Sequence, residues 1–204
     1  MRKALLFIVV LTIAVIPLPR ISNAEEEKPF APNAVDTATG ALRIPENYRE
    51  WPTLGTWAHA NAGKDLEQLG LGVHEYHTVY TQPETIAHYK KTGAFPDGAI
   101  LVKELLNAET MSMKTGPAIG HATTLTGWFI MVRDTKNRFK DSPLWGDGWG
   151  WSLFEKDDPQ HTVSYDYRSQ CIPCHVPAKK LAPETAVKDD KWIYVLGYPV
   201  LQKK

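Results

Sequence analysis

The chain has 204 residues, is 43% hydrophobic and carries 23 basic against 23 acidic residues, so its formal charge is zero. That balance leaves no electrostatic footprint for nucleic acid or an anionic membrane surface. Cys171 and Cys174 are the only cysteines, which leaves none for a disulfide elsewhere.

Arg2 and Lys3 make a basic start, Ala4 to Leu18 is an almost unbroken apolar run, and Ser22-Asn23-Ala24 supplies small residues at a cleavage position. This pattern predicts a signal peptide over 1–24, removed on export to the periplasm or beyond. The alternative is a membrane anchor, but the run is shorter than the ~20 apolar residues of a spanning helix. Arg20 follows closely and no second such run exists, so no membrane span is expected after cleavage. Removing 24 of 204 residues leaves 180, a single-domain length, with 20 basic against 23 acidic residues and a formal charge of −3. Residues 25–43 are polar and contain proline, and are expected to form a flexible tail before a folded domain over 44–204.

In the mature chain, Trp51 to Ala60 has strand composition after a turn at Pro45-Glu46-Asn47, and Val73 to Tyr80 is rich in β-branched and aromatic residues. Asn61 to Leu71 between them is a polar excursion bounded by glycines. A helix is expected next. Thr81 and Glu84 have capping-box spacing, Pro83 suits the first turn, Gly93 suits the C-terminal cap, and Ile86, Ala87 and Tyr89 are available for the inner face. After a turn at Phe95-Pro96-Asp97-Gly98, Ala99 to Leu106 reads as a strand. Alternation places Leu101, Lys103 and Leu105 on one face and Ile100, Val102 and Glu104 on the other. Leu125 to Arg133 is the most apolar strand, with Gly127, Phe129 and Met131 opposite Trp128, Ile130 and Val132. Asp134 to Asn137 turns the chain, and Leu144 to Phe154 reads as a Gly-Asp-Gly turn with a strand bearing Trp149 and Trp151. The tryptophans Trp145, Trp149 and Trp151 are expected in sheet packing or a dimer interface. Further helix is confined to Tyr165–Gln170 and a turn near Pro177–Thr185. The fold class is therefore α+β, an antiparallel sheet with flanking helices, which argues against a small all-helical electron carrier.

The chemistry lies in Cys171-Ile172-Pro173-Cys174-His175. C-x-x-C-H is the attachment signature of a c-type haem, whose two vinyl groups take the two thiols while the adjacent histidine reaches the iron. A thioredoxin-like redox dithiol needs a βαβ context, and none is visible. Half of a zinc site needs a second ligand pair, and His74 and His77 stand about a hundred residues away.

FPDGAILVKE (95–104), WFIMVRDTKNRF (128–139), PLWGDGWGWSLF (143–154), CIPCHVPAKK (171–180) and GYPVL (197–201) together resemble the cytochrome P-460 family, from about Ile44 to the C-terminus. The resemblance implies an antiparallel sheet with flanking helices around one covalently attached haem c, in a homodimer. It implies His175 as the iron's proximal ligand, with Cys171 and Cys174 as the thioether positions. Lys103 matches the lysine that in cytochrome P-460 is cross-linked to the haem macrocycle, against the alternative of a haem-edge or propionate contact. Phe129 and Met131 are the candidate side chains over the iron. Hydroxylamine-oxidising members carry a carboxylate there, and the strand at 128–133 has none; proton-coupled oxidation would recruit His121 or an acid near Glu109.

Three functions remain open at this stage. One is redox conversion of hydroxylamine or nitric oxide, with a soluble electron-transfer partner. The second is reversible binding of nitric oxide or carbon monoxide, as in the related cytochromes c′-beta. The third is electron transfer, with Met111 or Met113 closing the sixth iron position. His121 also reads as a solvated loop histidine, and the two methionines as core filler.

Overall fold

The computed structural model describes residues 30–61 and 72–202. The export signal expected at 1–24 and nearly all of the excursion at 61–71 lie outside the described residues. Six strands form one antiparallel sheet: β1 (Thr53–Ala60), β2 (Val73–Thr81), β3 (Ile100–Met113), β4 (Gly116–Arg133), β5 (Trp145–Gly146) and β6 (Trp149–Glu155). Their order is β1-β2-β3-β4-β6-β5, a meander whose last hairpin adds with β6 innermost. The helices are α1 (Pro83–Thr92), α2 (Tyr167–Gln170) and α3 (Ile172–Leu181), followed by single 3-10 turns at Lys188–Trp192, Val195–Gly197 and Pro199–Leu201. The α+β reading therefore holds. Among the described residues no helix is long and apolar enough to cross a membrane.

Local chemistry sets most boundaries. Asp147 and Gly148 adopt positive φ of 52° and 80°, which a two-residue turn between twisted antiparallel strands requires. Gly93 ends α1 in the left-handed conformation, with its N–H donating to the Tyr89 carbonyl. The N-terminus of α1 departs from expectation. Gln82, not Thr81, occupies the N-cap, and no side chain caps the helix. Thr81 is instead the last residue of β2, and its hydroxyl donates to the Ile100 carbonyl at 2.7 Å. Thr85 and Ile86 form the buried face of α1, and Ala87 is exposed.

Strands β3 and β4 run further than the sequence indicates, and β3 is paired to β2 only as far as Asn107. Beyond that point the hairpin pairs with itself, Glu109 opposite His121 and Met111 opposite Ile119. Met111 and Met113 are about half exposed on this arm, at 49% and 52%.

Alternation along the strands builds two cores, one on each face of the sheet. The first unites Leu101, Met131, Trp149 and Trp151 with α1, Cys171 and the C-terminal turns through Trp192, Tyr198 and Leu201. The second gathers Ile100, Val102, Trp128, Ile130, Val132, Trp145 and Phe154. Trp145, Trp149 and Trp151 are all buried within the single chain, so they serve sheet packing.

The second core corrects the expected N-terminal tail. Ala31, Ala34, Val35, Leu42 and Ile44 are buried against that face, and Val35 bridges Leu42. The physical reason is that Ile100, Val102, Ile130 and Val132 form an apolar surface that the sheet itself cannot cover. The packed domain therefore begins before residue 44. Leu42→Ala is expected to lower the urea midpoint by an amount worth about 2–4 kcal/mol, the usual cost of emptying a core leucine site. A change near zero would restore the loose tail.

Candidate functional site

Helix α3 begins directly after Cys171 and carries Cys174 and His175 in its first turn and a half. It faces the first-core side of the sheet across a cavity of about 470 Å³. That volume lies within the ~300–1,000 Å³ typical of cofactor and ligand sites. Lys103, Phe129, Met131, Cys171, Cys174 and His175, all expected from the sequence, line this one cavity. His121 does not line it and is exposed on the β3–β4 arm, as are Glu109, Met111 and Met113. The reason is length: the arm carries these side chains past the end of the cavity wall.

The proximal side is tightly specified. His175 shares its Nδ1 proton with the Trp192 carbonyl at 2.7 Å, which leaves Nε2 as the coordinating nitrogen. Trp151 meets the His175 ring edge-on at 4.9 Å, and Trp151 in turn stacks on Tyr167. Tyr194 donates to the Cys174 carbonyl at 2.6 Å. Burial, with Lys103 adding to it and the Trp192 hydrogen bond opposing, pushes the His175 imidazole down to about 4, so it is neutral and ligand-ready at pH 7. Burial also pushes the Cys171 thiol up to about 11, the opposite of an activated redox cysteine. The one set of three metal-ligating side chains converging within 4.8 Å among the described residues does not include Cys171, Cys174 or His175. These three therefore do not converge on one point within that distance.

The Trp192 carbonyl is itself held in place from the sheet. Asp190 lies 3.0 Å from Arg133, at the end of β4, and accepts from the Phe95 N–H at 2.9 Å. Farther along, Gly197 has no room for a Cβ, which would stand 2.1 Å from the Trp57 ring. The GYPVL segment is thus glycine-dependent packing of the C-terminus against β1.

The sheet side of the cavity is not uniformly apolar. Lys103 sits between its cross-strand neighbours Val79 and Phe129, with Nζ 4.5 Å from the Phe129 ring centroid. Burial pulls its ammonium below the ordinary lysine range, against Cys174, Glu75 and Cys171, which favour the charge. His59 and His77 also line the cavity, and the sequence reading missed them as site residues. Their signal was present as Glu75 and His77 two apart on β2, facing the same side as Val79.

Two predictions follow from this geometry. Burial, then the Lys103 charge, pushes His77 down to about 4, against Glu75. Between that value and an unfolded-state value near 6.5, the unfolded chain binds more protons, so stability falls as pH falls through this window. In metal-free buffer, the urea-midpoint advantage of the native protein over His77→Asn should shrink from pH 7 to pH 4; a constant difference refutes the assignment. Asp190→Asn leaves the buried Arg133 with the Asp189 carboxylate at 3.7 Å and the Gly148 carbonyl at 2.6 Å. Loss of a buried partner costs about 3–5 kcal/mol, and denaturation of Asp190→Asn should show a loss near the lower figure.

Among curated proteins none matches this chain. The family described as Cytochrome P460 matches residues 45–194, which takes in the sheet, Lys103 and the C-x-x-C-H helix. The chain belongs to the cytochrome P460 family and is a haem protein of that kind.

Proposed function

We propose that the chain is a periplasmic mono-haem c-type cytochrome that oxidises or otherwise converts hydroxylamine or nitric oxide. The observation that carries this reading is Lys103, a half-buried lysine with no ion pair or hydrogen bond to a described residue, in the cavity that holds Cys171, Cys174 and His175. Two thiols, a neutral imidazole with Nε2 available and an apolar floor of Leu101, Phe129 and Met131 fit one haem. Bound there, the haem supplies an iron that takes a small nitrogenous ligand and exchanges electrons.

The residues divide the remaining work. Cys171 and Cys174 would hold the haem covalently, and Trp192 and Trp151 orient His175, which would bind its iron. Lys103 is driven toward its neutral, nucleophilic amine by burial, the state needed to bond to the porphyrin edge. That bond replaces one N–H and one ring C–H by C–N and releases two protons and two electrons. A two-electron oxidant of the peroxide class is therefore its co-reactant. The family resemblance supports a homodimer and a soluble electron acceptor, and the apolar run at 4–18 supports export.

A second reading, reversible binding of nitric oxide or carbon monoxide, draws on Phe129 and Met131, whose apolar side chains disfavour anions and water at the iron. One experiment separates the two. The intact mass of exported protein should exceed the mature polypeptide by one haem that survives acid extraction, and Cys171→Ala with Cys174→Ala should lose it. Tryptic digestion should then give a Lys103 peptide joined through the haem to the Cys171–Cys174 peptide. Lys103→Ala should abolish hydroxylamine oxidation and shift the ferrous Soret band back to that of an ordinary c-type haem. An unmodified Lys103 peptide with an unchanged spectrum in Lys103→Ala makes gas binding the better account.

A further inference from the structure

Apart from the haem-holding set, the described residues bring three metal-ligating side chains together: His59, Glu75 and His77. The β1–β2 pairing places His59 directly opposite Glu75, and His77 follows two residues on along the same face. Their ligand atoms all lie within 4.8 Å of one another, and the two imidazole rings are 4.1 Å apart between centroids.

His77 points to a missing occupant. Its Nε2 is shut off from solvent yet makes no hydrogen bond, although a Glu75 carboxylate oxygen stands 3.1 Å away. A nitrogen and an oxygen bound to one ion at ~2.0–2.2 Å, about 95–110° apart, are themselves roughly 3.0–3.5 Å apart. The observed 3.1 Å falls within that range.

We propose that His59, Glu75 and His77 form a second metal site, a two-histidine, one-carboxylate set for a divalent ion of the iron-to-zinc series, at the edge of the cavity that His59 and His77 line. Three protein ligands leave a coordination position for water, and such an ion lowers the pKa of that water toward ~7. The hydroxide formed when that water loses a proton would be the proton acceptor that the carboxylate-free strand at 128–133 does not provide. That role rests on the reading of the cavity as a hydroxylamine-oxidising haem site, whereas binding of the ion does not.

The test uses purified, haem-loaded, full-length protein, stripped with a chelator and dialysed against zinc chloride, with zinc and iron counted per chain. One zinc per chain beyond the haem iron is expected. His59→Ala, Glu75→Gln and His77→Ala should each weaken binding by more than about tenfold, with unchanged haem content and circular dichroism. Because His59 is exposed, its variant tests the site without emptying a buried position. No zinc, or zinc retained undiminished in the His59→Ala, His77→Ala double variant, overturns the site. Zinc retained there but lost on replacing Cys171 and Cys174 also overturns it, and shows free thiols, so the haem attachment fails as well. Zinc binding lost in His59→Ala while iron is absent leaves the second site standing and removes only the haem reading.

Discussion

The Arg133–Asp190 ion pair is the constraint through which the sheet reaches the His175 side of the cavity. Both side chains are almost wholly buried, at 4% and 2% exposure. Two charges withdrawn from water cost several kcal/mol each, so their attraction only offsets that cost and contributes little net stability. What the pair supplies is position. The segment after α3 contains no strand and has few apolar residues to seat it before Trp192. Arg133 at the end of β4, with the Phe95 N–H beside it, fixes Asp190. Two residues later the Trp192 carbonyl is then at the height of His175. A sheet end, an ion pair, a carbonyl and an imidazole form one chain of contacts.

Adjacent residues on β3 show two fates for a buried charge. Glu104 faces the second core and is satisfied there: Tyr48, Arg49 and Tyr80 all donate to its carboxylate, and Trp128 donates to Tyr48. Lys103 faces the cavity with the Phe129 ring beside its amine and no hydrogen bond or ion pair among the described residues. Structural burial is resolved by partners, as at Glu104; a lysine left without them is either costly or used. Period-2 alternation assigns the two residues to opposite sides, so the difference follows directly from the strand.

That alternation is also why so much was legible in the sequence. Leu101 with Lys103, and Phe129 with Met131, fall on the cavity face as the period requires. Asp147-Gly148 and Gly93 mark their turn and cap by conformation alone. What was not legible depends on contacts distant in sequence. Thr81 has the spacing of a helix cap, but its hydroxyl is taken by the Ile100 carbonyl across the sheet, so α1 starts at Pro83 without it. Val35 and Leu42 look like tail residues until a bare apolar sheet face is set against them. His121 could not be placed because nothing local says how far past Leu106 the hairpin runs. His59 joins Glu75 and His77 only through the β1–β2 register, across an excursion whose length hides the pairing.

The cavity that results has two chemical halves. Phe129, Met131 and Leu101 present carbon to it, and His59, His77 and Lys103 present nitrogen. A diatomic gas needs only the first half, since it brings no proton to remove. Hydroxylamine carries protons that must leave as electrons do, so its oxidation needs the second half as well. With burial holding His77 near 4 and drawing Lys103 below its ordinary range, that half is basic in structure but uncharged in tendency. A neutral imidazole in a water-poor pocket is a poor proton acceptor and a good metal ligand, and it does not attract anions as a cationic wall would. The same burial that makes the cavity suitable for haem therefore also makes His77 on its wall a metal ligand rather than a base.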